Sequence, residues 1–411
     1  MSTLLIKNIG RLQTPVGSYK HCGKEQGENI MLVNAAILAV DGVIKEITTN
    51  GELPELAETA DTVFDAEGKL VTPGLVEGHT HLVFGGYRQN EIPLKLKGAS
   101  YLDILKAGGG IHDTVSKTRE MSIAGLFNKS EGFLDEMLNL GVTTCEIKSG
   151  YGLDFGNEMK MLEVINQLGK THPMDIVPTF MGAHAVPEEY KDDPLAFVET
   201  IVFEWMPYIK ELSLAKYCDI FCEEGVFDVN DSRVYLEAAK KHGFGLKIHA
   251  DEIEPMGGSE LAGELGATSA EHLIAIGETG LKSLAEGGTV AMLLPGTSFY
   301  LDKPFAPARK MIEMGIPVAI ASDFNPGSCP SLNLQFCMNL GYLKYKMTPE
   351  EILTAVTINS AAGIGMEETV GTLEVGKKAD IVVWDAPNME MLCYRFGSNL
   401  AAQVIKGGEL V

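Results

Sequence analysis

The sequence lacks several features that would assign it to whole classes of proteins. Its 411 residues contain no Cys-x-x-Cys pair, and the seven cysteines, from Cys22 to Cys393, are odd in number. This pattern argues against a disulfide framework and a cysteine zinc site, and it predicts reduced thiols. Low-complexity segments and repeats of fixed period are also missing. We therefore expect a globular protein of a reducing compartment, the cytoplasm.

Positive charge and long apolar runs are scarce as well. Lysine and arginine total 33 against 56 aspartates and glutamates, which gives a formal net charge of -23. Such a charge repels phosphate backbones and anionic lipids, so we expect neither nucleic acid nor a membrane as a partner. No apolar stretch reaches about 18 residues, and no basic segment precedes an apolar run at the N-terminus. These absences predict a soluble, unprocessed chain.

What the sequence does contain is a regular alternation of short apolar or β-branched runs with helical patterns between residues 67 and 365. This alternation is typical of βα units on a parallel sheet. The eight runs lie near residues 75–80, 143–147, 176–180, 217–221, 245–249, 268–271, 290–294 and 318–321. Their number and spacing favour an α/β fold of the closed (β/α)8 TIM-like barrel type over an open doubly wound sheet.

The two ends of the chain have a different pattern. Short β-like pieces lie near residues 4–7, 29–38, 43–48, 380–384 and 403–405, with turn signals such as Asp41-Gly42 and Gly407-Gly408. Neither end is long enough to bury a core by itself. We therefore predict that residues 1–66 plus 367–411 form one small composite β-sandwich domain beside a barrel of residues 67–366.

Polar residues follow most of the predicted strands, at the edge where the active site of a parallel barrel lies. His79 and His81 are two positions apart at the end of the first strand, so both imidazoles point to one face. The later strand exits carry Lys148, His184, Glu223, His249, Glu252, His272 and Asp323. Histidine nitrogens and one aspartate oxygen suit zinc or iron and leave a coordination position for water. The pattern predicts a catalytic metal centre.

Each of these residues has a simpler interpretation when it is considered alone. His249 could be a buried core histidine, and Asp323 could cap the helix that follows it. Lys148 and Arg88 could be solvated charges, and Glu223-Glu224 could be an exposed acidic pair. The histidines outside the set are treated as structural: His21, His112, His172 and His242. The coincidence of five histidines and one aspartate at strand exits favours the metal centre.

Several motifs resemble the amidohydrolase superfamily. They are Pro73-Gly-Leu-Val-Glu-Gly-His-Thr-His81, Lys247-Ile-His-Ala-Asp-Glu252, Glu271-His-Leu273 and Ser322-Asp-Phe-Asn-Pro-Gly327. Others are similar to motifs of the imidazolonepropionase family within it: Phe84-Gly-Gly-Tyr-Arg-Gln-Asn-Glu91, Ala107-Gly-Gly-Gly-Ile111, Glu146-Ile-Lys-Ser-Gly-Tyr-Gly152 and Asp323-Phe-Asn-Pro-Gly-Ser328. Together they cover residues 70 to 365. The Lys-Ser-Gly-Tyr-Gly and Asp-Phe-Asn-Pro-Gly segments are the most specific of them.

The resemblance implies a metal-dependent hydrolase of histidine degradation, which opens the cyclic amide of 4-imidazolone-5-propanoate and releases N-formimidoyl-L-glutamate. The ligands it implies for one Zn²⁺ or Fe³⁺ ion are His79, His81, His249 and Asp323. The catalytic residues it implies are Glu252, His272 and Asp323, with Glu252 shuttling a proton to the departing ring nitrogen. The substrate-binding residues it implies are Arg88, Tyr151, His184, Glu252, Asn325, Gly327 and Ser328. Arg88 is suited to bind the propionate carboxylate, because a guanidinium can donate two parallel hydrogen bonds to a carboxylate.

Lys148 bears on the number of metal ions. Superfamily members with two ions use a carbamylated lysine after strand 4, whereas Lys148 follows strand 2 and strand 4 ends at Cys222-Glu223. We predict a single ion, with Glu223 as a minor bridging candidate. The glycines of residues 108–110 could allow a lid over the pocket or could form only a tight turn.

Two other functions share some of these residues. A purine or pyrimidine deaminase has the same metal-ligand types, but Arg88 beside His184 suggests a substrate carboxylate that such a base lacks. A catalytically inactive scaffold is the other alternative, yet relatives of that kind lose metal ligands, which are all retained here. Barrels of this type often dimerise, and a homodimer is compatible with this sequence without being determined by it.

Overall fold

The computed structural model describes residues 2–54, 57–98 and 109–411 of the chain, and its strands form two sheets. In chain order the strands are β1 (Thr3–Thr14), β2 (Ile30–Val40), β3 (Val43–Thr48), β4 (Thr62–Asp65), β5 (Leu70–Pro73), β6 (Leu75–Glu77), β7 (Val142–Lys148), β8 (Asp175–Ala183), β9 (Tyr217–Cys222), β10 (Gly245–Ala250), β11 (Ser269–His272), β12 (Val290–Leu293), β13 (Val318–Ile320), β14 (Ile381–Trp384), β15 (Ala401–Lys406) and β16 (Glu409–Leu410).

Strands β6 to β13 pair in sequence order, and every pair is parallel. The two edges of this sheet meet just beyond the strand ends, where His81 N donates to Phe324 O at 2.9 Å and Asp323 N donates to His79 O at 3.2 Å. The sheet is therefore a nearly closed barrel, and the predicted TIM-like fold is confirmed. Each of the eight predicted runs overlaps one of these strands, although β8 extends three residues beyond its predicted limit and β6 ends three residues before it.

Helices cover the outside of the barrel, because each βα unit must bury the outer face of its strand. The α-helices are Ile92–Leu96, Ile111–Glu120, Ile123–Asn139, Phe155–Thr171, Pro194–Thr200, Met206–Glu211, Val229–Lys241, Gly258–Leu265, Glu278–Gly287, Pro295–Tyr300, Ala308–Glu313, Leu334–Leu343, Pro349–Ala355, Ile358–Gly363 and Met389–Tyr394. Short 3-10 helices span Gly23–Gly27, Ala57–Thr59, Gln89–Glu91 and Glu188–Tyr190, and a π-helical turn spans Ile201–Trp205. Among the described residues, no helix is both long enough and apolar enough to cross a membrane.

The second sheet joins both ends of the chain, in the order β16-β15-β14-β5-β1-β2-β3, with β4 also paired to β1. β1 pairs with β4 through Leu4–Lys7 and with β5 through Arg11 and Leu12, and its pairing with β2 shifts register between Ile6 and Ile9, as at a β-bulge. Ile37, Val71 and Ile381 lie in the buried core of this sheet. The composite terminal domain is thus confirmed as a separate mixed sheet. The domain limits at residues 66 and 367 stay a prediction.

Ion pairs connect the terminal sheet to the barrel. Asp175, the first residue of β8, accepts hydrogen bonds from Lys378 at 2.7 Å and from Lys406 at 2.6 Å. Lys406 also pairs with the buried Asp380 at 2.7 Å. These contacts set the terminal sheet against the N-terminal end of the barrel strands. The opposite end remains available for an active site.

Candidate metal centre and active site

Three imidazoles converge at the C-terminal end of the barrel. His79 and His81 follow β6, and His249 lies near the end of β10. One ring nitrogen from each lies within 4.8 Å of the other two. The Nε2 atoms of His81 and His249 are only 3.3 Å apart, and all three side chains are buried. The β/α architecture brings these residues together because every parallel strand ends at the same rim.

Asp323, which follows β13, adds a carboxylate to this cluster. Its Oδ1 atom lies 3.4 Å from His79 Nε2 and 3.7 Å from His81 Nε2. Its Oδ2 atom accepts a hydrogen bond from Thr297, so one oxygen is held while the other faces the imidazoles. Asp323 has a φ of 57°, a left-handed conformation that non-glycine residues adopt mainly at constrained sites.

Two buried carboxylates orient the imidazoles from behind. His79 Nδ1 donates to Glu271 at 2.8 Å, and His249 Nδ1 donates to Asp219 at 3.0 Å. A hydrogen bond at Nδ1 leaves the Nε2 lone pair of each ring available. Lys247 pairs with Glu271 at 3.2 Å, and Lys148 pairs with Asp219 at 2.8 Å. These four charged side chains are fully buried, so the barrel interior is ionic at this level.

The orphaned ring atoms provide a test of whether a metal ion fits this cluster. His79 Nε2 is buried and has no hydrogen-bond partner among the residues that the structure describes. Burial, and after it the neighbouring positive groups, holds the pKa of His79 and of His81 well below the usual range. Both rings are therefore neutral near pH 7 and offer lone pairs. A buried nitrogen lone pair that faces other hydrogen-bond acceptors is suited to bind a cation.

His272 and Glu252 lie beside the cluster. His272 ends β11, its ring centroid is 5.2 Å from that of His249, and its Nε2 is 3.5 Å from a Glu252 carboxylate oxygen. Burial lowers the pKa of His272 to about 4 and raises that of Glu252 to about 6. The pair thus combines a neutral imidazole with a carboxyl group that takes up and releases protons near neutrality.

This arrangement can be compared with known proteins. The amidohydrolase family model matches residues 70–411. The chain belongs to the amidohydrolase family. Among its relatives are the imidazolonepropionases of Alkaliphilus metalliredigens, 50% identical with 100% of this chain and 98% of the relative covered, and of Alkaliphilus oremlandii, 51% identical with 99% and 97% covered. This amidohydrolase is accordingly a member of the imidazolonepropionase group, and the predicted family is confirmed.

Solved structures of other amidohydrolases share the fold at low sequence identity. A triazine hydrolase variant superposes with a TM-score of 0.77 at 18% identity, covering 99% of this chain and 94% of its own. The 5-methylcytosine deaminase of Klebsiella pneumoniae gives a TM-score of 0.75 at 16% identity, covering 99% and 97%. These similarities support the barrel with its terminal sheet.

Arg88 lies at the rim of the amidohydrolase site and is fixed by its neighbours. Its Nε atom donates to the buried Thr114 at 2.8 Å. A Cβ atom on Gly327 would lie 2.3 Å from Arg88 Nη1, so a side chain at residue 327 would displace the guanidinium from this position. Arg88 is therefore held by contacts with its neighbours and is not merely a solvated surface charge. The structure brings Arg88 and Gly327 into contact.

Tyr151 and His184 border the imidazole cluster on another side. The His184 ring stacks on His81 with centroids 4.6 Å apart, and Tyr151 lies 5.8 Å from His81. Burial lowers the pKa of His184 to about 3 and raises that of Tyr151 above its usual value. Phe221 also contacts this wall, with its ring 5.8 Å from His249. The His184 and Tyr151 side chains are therefore both neutral near pH 7.

Asn325 and Ser328 lie in the loop after Asp323. The Asn325 amide nitrogen donates to Asp323 O at 2.7 Å and to the Ser328 hydroxyl at 2.8 Å. The Asn325 amide oxygen accepts from the backbone of Gly327 at 2.8 Å and of Ser328 at 2.7 Å. Its polar atoms are thus engaged within the loop. In this arrangement Asn325 shapes the loop that presents Gly327 and Ser328.

Lys148 and Glu223, the two candidates for holding a second ion, already have other partners. Lys148 pairs with Glu146 at 2.7 Å as well as with Asp219, and it is fully buried. The alternative of a solvated lysine is therefore wrong. The Glu223 carboxylate accepts backbone hydrogen bonds from Glu224, Ile253 and Glu254. An exposed acidic pair is also excluded for Glu223, which is 1% exposed.

Asp219 and Glu271 are the residues that inspection of the sequence missed. Each was available as an inward-facing position, since residues alternate between the two faces of a strand. Asp219 is opposite Lys247 in the pairing of β9 with β10, and Glu271 is opposite His249 in the pairing of β10 with β11. The signal was an acidic residue inside a predicted strand of the barrel. Of the glycines 108–110 on which a lid was predicted, residue 108 lies outside the described part of the chain, and Gly110 directly precedes helix Ile111–Glu120.

Proposed function

We propose that this enzyme hydrolyses the cyclic amide of 4-imidazolone-5-propanoate to N-formimidoyl-L-glutamate, as a step of histidine degradation, with the residue roles given below. The observation that carries the proposal is sequence identity of 48–51% over 98–100% of this chain to relatives named imidazolonepropionase. The geometry adds a buried imidazole cluster and a guanidinium at its rim. A cytoplasmic location agrees with seven cysteines that are all free thiols.

One metal ion, Zn²⁺ or Fe³⁺, is proposed for the cluster. His79, His81, His249 and Asp323 would hold it, because their free nitrogens and one free carboxylate oxygen face each other. When bound, such an ion would supply Lewis acidity and lower the pKa of a water molecule bound to it to about 7, far below that of bulk water. A single ion is favoured because Lys148 and Glu223 would have to break buried hydrogen bonds to hold a second.

The proton transfers are assigned to three side chains. Asp323 and His272 would orient the attacking water and accept its proton, since burial keeps the His272 ring neutral and its Nδ1 atom lacks a partner among the described residues. Glu252 would carry a proton to the departing ring nitrogen, and a pKa of about 6 allows it to do so near neutral pH. Its 3.5 Å separation from His272 permits exchange between the two groups.

Substrate binding is assigned to the other side of the pocket. Arg88 would bind the propionate carboxylate through its two terminal nitrogens, because Thr114 already holds Nε. Tyr151 and His184 would donate or accept hydrogen bonds at the imidazolone ring as neutral groups. Asn325, Gly327 and Ser328 would line the same cavity. A neutral purine or pyrimidine base would leave the Arg88 charge without a partner.

The direct test is incubation of the metal-loaded protein with freshly prepared 4-imidazolone-5-propanoate, following loss of its ultraviolet absorbance. We expect rapid loss with the loaded enzyme, recovery of N-formimidoyl-L-glutamate in equal amount, and little activity after treatment with a chelator. Adenine and cytosine serve as control substrates for a deaminase. Release of ammonia from either base without turnover of the imidazolone would refute the proposal.

A further inference from the structure

A buried glutamate, Glu158, accepts hydrogen bonds from the backbone of the loop that carries Tyr151. Glu158 lies in the first turn of helix Phe155–Thr171 and is fully buried. Its Oε1 atom accepts backbone hydrogen bonds from Gly152 at 2.7 Å and Leu153 at 3.0 Å, and Oε2 accepts one from Gly150 at 3.1 Å. One carboxylate thus binds the backbone on both sides of Tyr151.

The same loop also determines the orientation of His184. Gly150 donates its N–H to Glu158, and its carbonyl oxygen accepts a hydrogen bond from His184 Nδ1 at 3.1 Å. In a neutral imidazole, a proton on the Nδ1 atom that donates to Gly150 leaves Nε2 as an acceptor. A Cβ atom at residue 150 would lie 2.9 Å from His184 Nδ1, so Gly150 and the His184 ring are packed closely against each other. A shift of Gly150 would therefore move His184 or change its tautomer.

Capping of the helix does not account for these hydrogen bonds. Asp154 is the N-cap, and its side chain accepts from Asn157 N at 2.8 Å. The Glu158 carboxylate is directed instead at the backbone of the preceding loop. Burial raises the pKa of Glu158, and the hydrogen bonds from this loop oppose the rise. A buried acid with all its partners in one loop stabilises the conformation of that loop.

We propose that Glu158 is a positioning residue for substrate binding, which holds Tyr151 and His184 through the backbone of residues 149–153. This inference rests on the proposed function, since both groups are assigned there to the substrate. Glu158 itself touches neither the cluster of imidazoles nor the pocket. Its effect on the reaction is on the affinity for the imidazolone ring, and the proton transfers are left to other residues.

The test is Glu158→Gln, which keeps the shape of the side chain but turns an NH₂ group towards a backbone N–H. We expect KM to rise roughly tenfold or more, kcat to stay within about threefold, and metal content to be unchanged. Affinity for imidazole-4-propanoate, which lacks the scissile amide, should fall in parallel by calorimetry. The ¹⁵N resonances of His184 should shift, which reports on its tautomer directly. The matched control is Glu163→Gln, on an exposed position of the same helix.

A folded Glu158→Gln protein with unchanged KM, analogue affinity and His184 resonances would overturn the inference. If that variant does not fold, Arg119→Gln provides the second test, because the partly exposed Arg119 donates to Gly152 O at 2.7 Å from the other side of the loop. It should raise KM several-fold, and no change in KM or resonances would overturn the inference. His184 shifts in a protein that never hydrolyses the imidazolone would support the positioning role and refute the proposed function alone.

Discussion

Glu271 accepts a hydrogen bond from the Nδ1–H of His79: its Oε2 atom lies 2.8 Å from Nδ1, and both side chains are fully buried. The other oxygen of Glu271 is 3.2 Å from Lys247 Nζ and also accepts a hydrogen bond from the Ser269 hydroxyl. Lys247 and Ser269 therefore hold the Glu271 carboxylate in place, and the carboxylate in turn orients the His79 imidazole. Such support behind a metal ligand sets its tautomer and the direction of its lone pair.

Replacement of Glu271 by glutamine should weaken metal binding. The amide would no longer bind Lys247 as an ion, and its attraction for the His79 Nδ1–H would be weaker, so we expect metal affinity to fall about 10- to 100-fold. Competition with a chromogenic chelator measures this affinity. Glu264→Gln, on an exposed glutamate that pairs with Arg233, is the control. Equal affinity in the two variants would contradict the proposed orientation of His79.

Replacement of Arg88 by lysine should act on substrate binding. Lysine keeps the charge but loses the planar fork and the Nε hydrogen bond to Thr114, so we expect KM to rise about 10- to 100-fold with a smaller change in kcat. Steady-state kinetics separates the two constants. Thr114→Val should raise KM by a smaller factor, because it releases Arg88 without removing it. An unchanged KM for Arg88→Lys would refute its assignment to the carboxylate.

Replacement of His272 by alanine should act on turnover. Loss of a group that transfers a proton lowers kcat by about 10²- to 10⁴-fold, whereas the three convergent imidazoles remain. Metal content, measured by atomic emission on the purified variant, should match that of the wild type. A variant that has lost its metal would show instead that His272 helps to hold the ion. His242→Ala, at the end of helix Val229–Lys241, is the control.

The number of metal ions should be one per chain. Lys148 Nζ lies 2.7 Å from Glu146 and 2.8 Å from Asp219, so its carbamylation would bury two like charges next to the new carboxylate. Metal analysis of protein grown with excess zinc and bicarbonate should still give one equivalent. Two equivalents would contradict the single-ion proposal and would direct attention to Lys148 and Glu223.

The contact between the two sheets should depend on pH. Asp175 has a pKa below its usual value, because Lys406 and Lys378 together outweigh the opposing effect of burial. A carboxyl group with a lowered folded pKa adds stability above its unfolded pKa of about 3.9, and this stability is lost as the pH falls through the folded value. Asp175→Asn should therefore lower the free energy of unfolding by about 1–2 kcal/mol at pH 7, and by less at pH 3, below the unfolded pKa.

Urea unfolding at pH 7, 5 and 3 measures this difference. Asp192→Asn, on an exposed aspartate, should change stability little at each pH. A difference for Asp175→Asn that stays constant from pH 7 to pH 3 would show that the ion pairs with Lys378 and Lys406 contribute no pH-dependent stability.

The eight strands could be predicted because their signal is local. β-branched and apolar runs such as Val142–Lys148, separated by helix-length spacers, record the burial of a parallel strand in the residues themselves. The histidines of the site could also be identified from the sequence, because the residues that follow each strand of a parallel barrel lie together at one rim. The resemblance of the motifs assigned roles to them. The limits of β6 were less accurate, since pairing across the closing seam decides where a strand ends.

The sequence by itself determined the barrel, the pairing of both chain ends in one domain, and the set of residues available at the rim. Only the tertiary structure decided that Lys148 is buried between Glu146 and Asp219, and that Glu158 binds the backbone around Tyr151. The physical reason is that a charged residue has no local mark of burial. Its partners come from neighbouring strands and loops, and they offset the desolvation of the charge only after the barrel has closed.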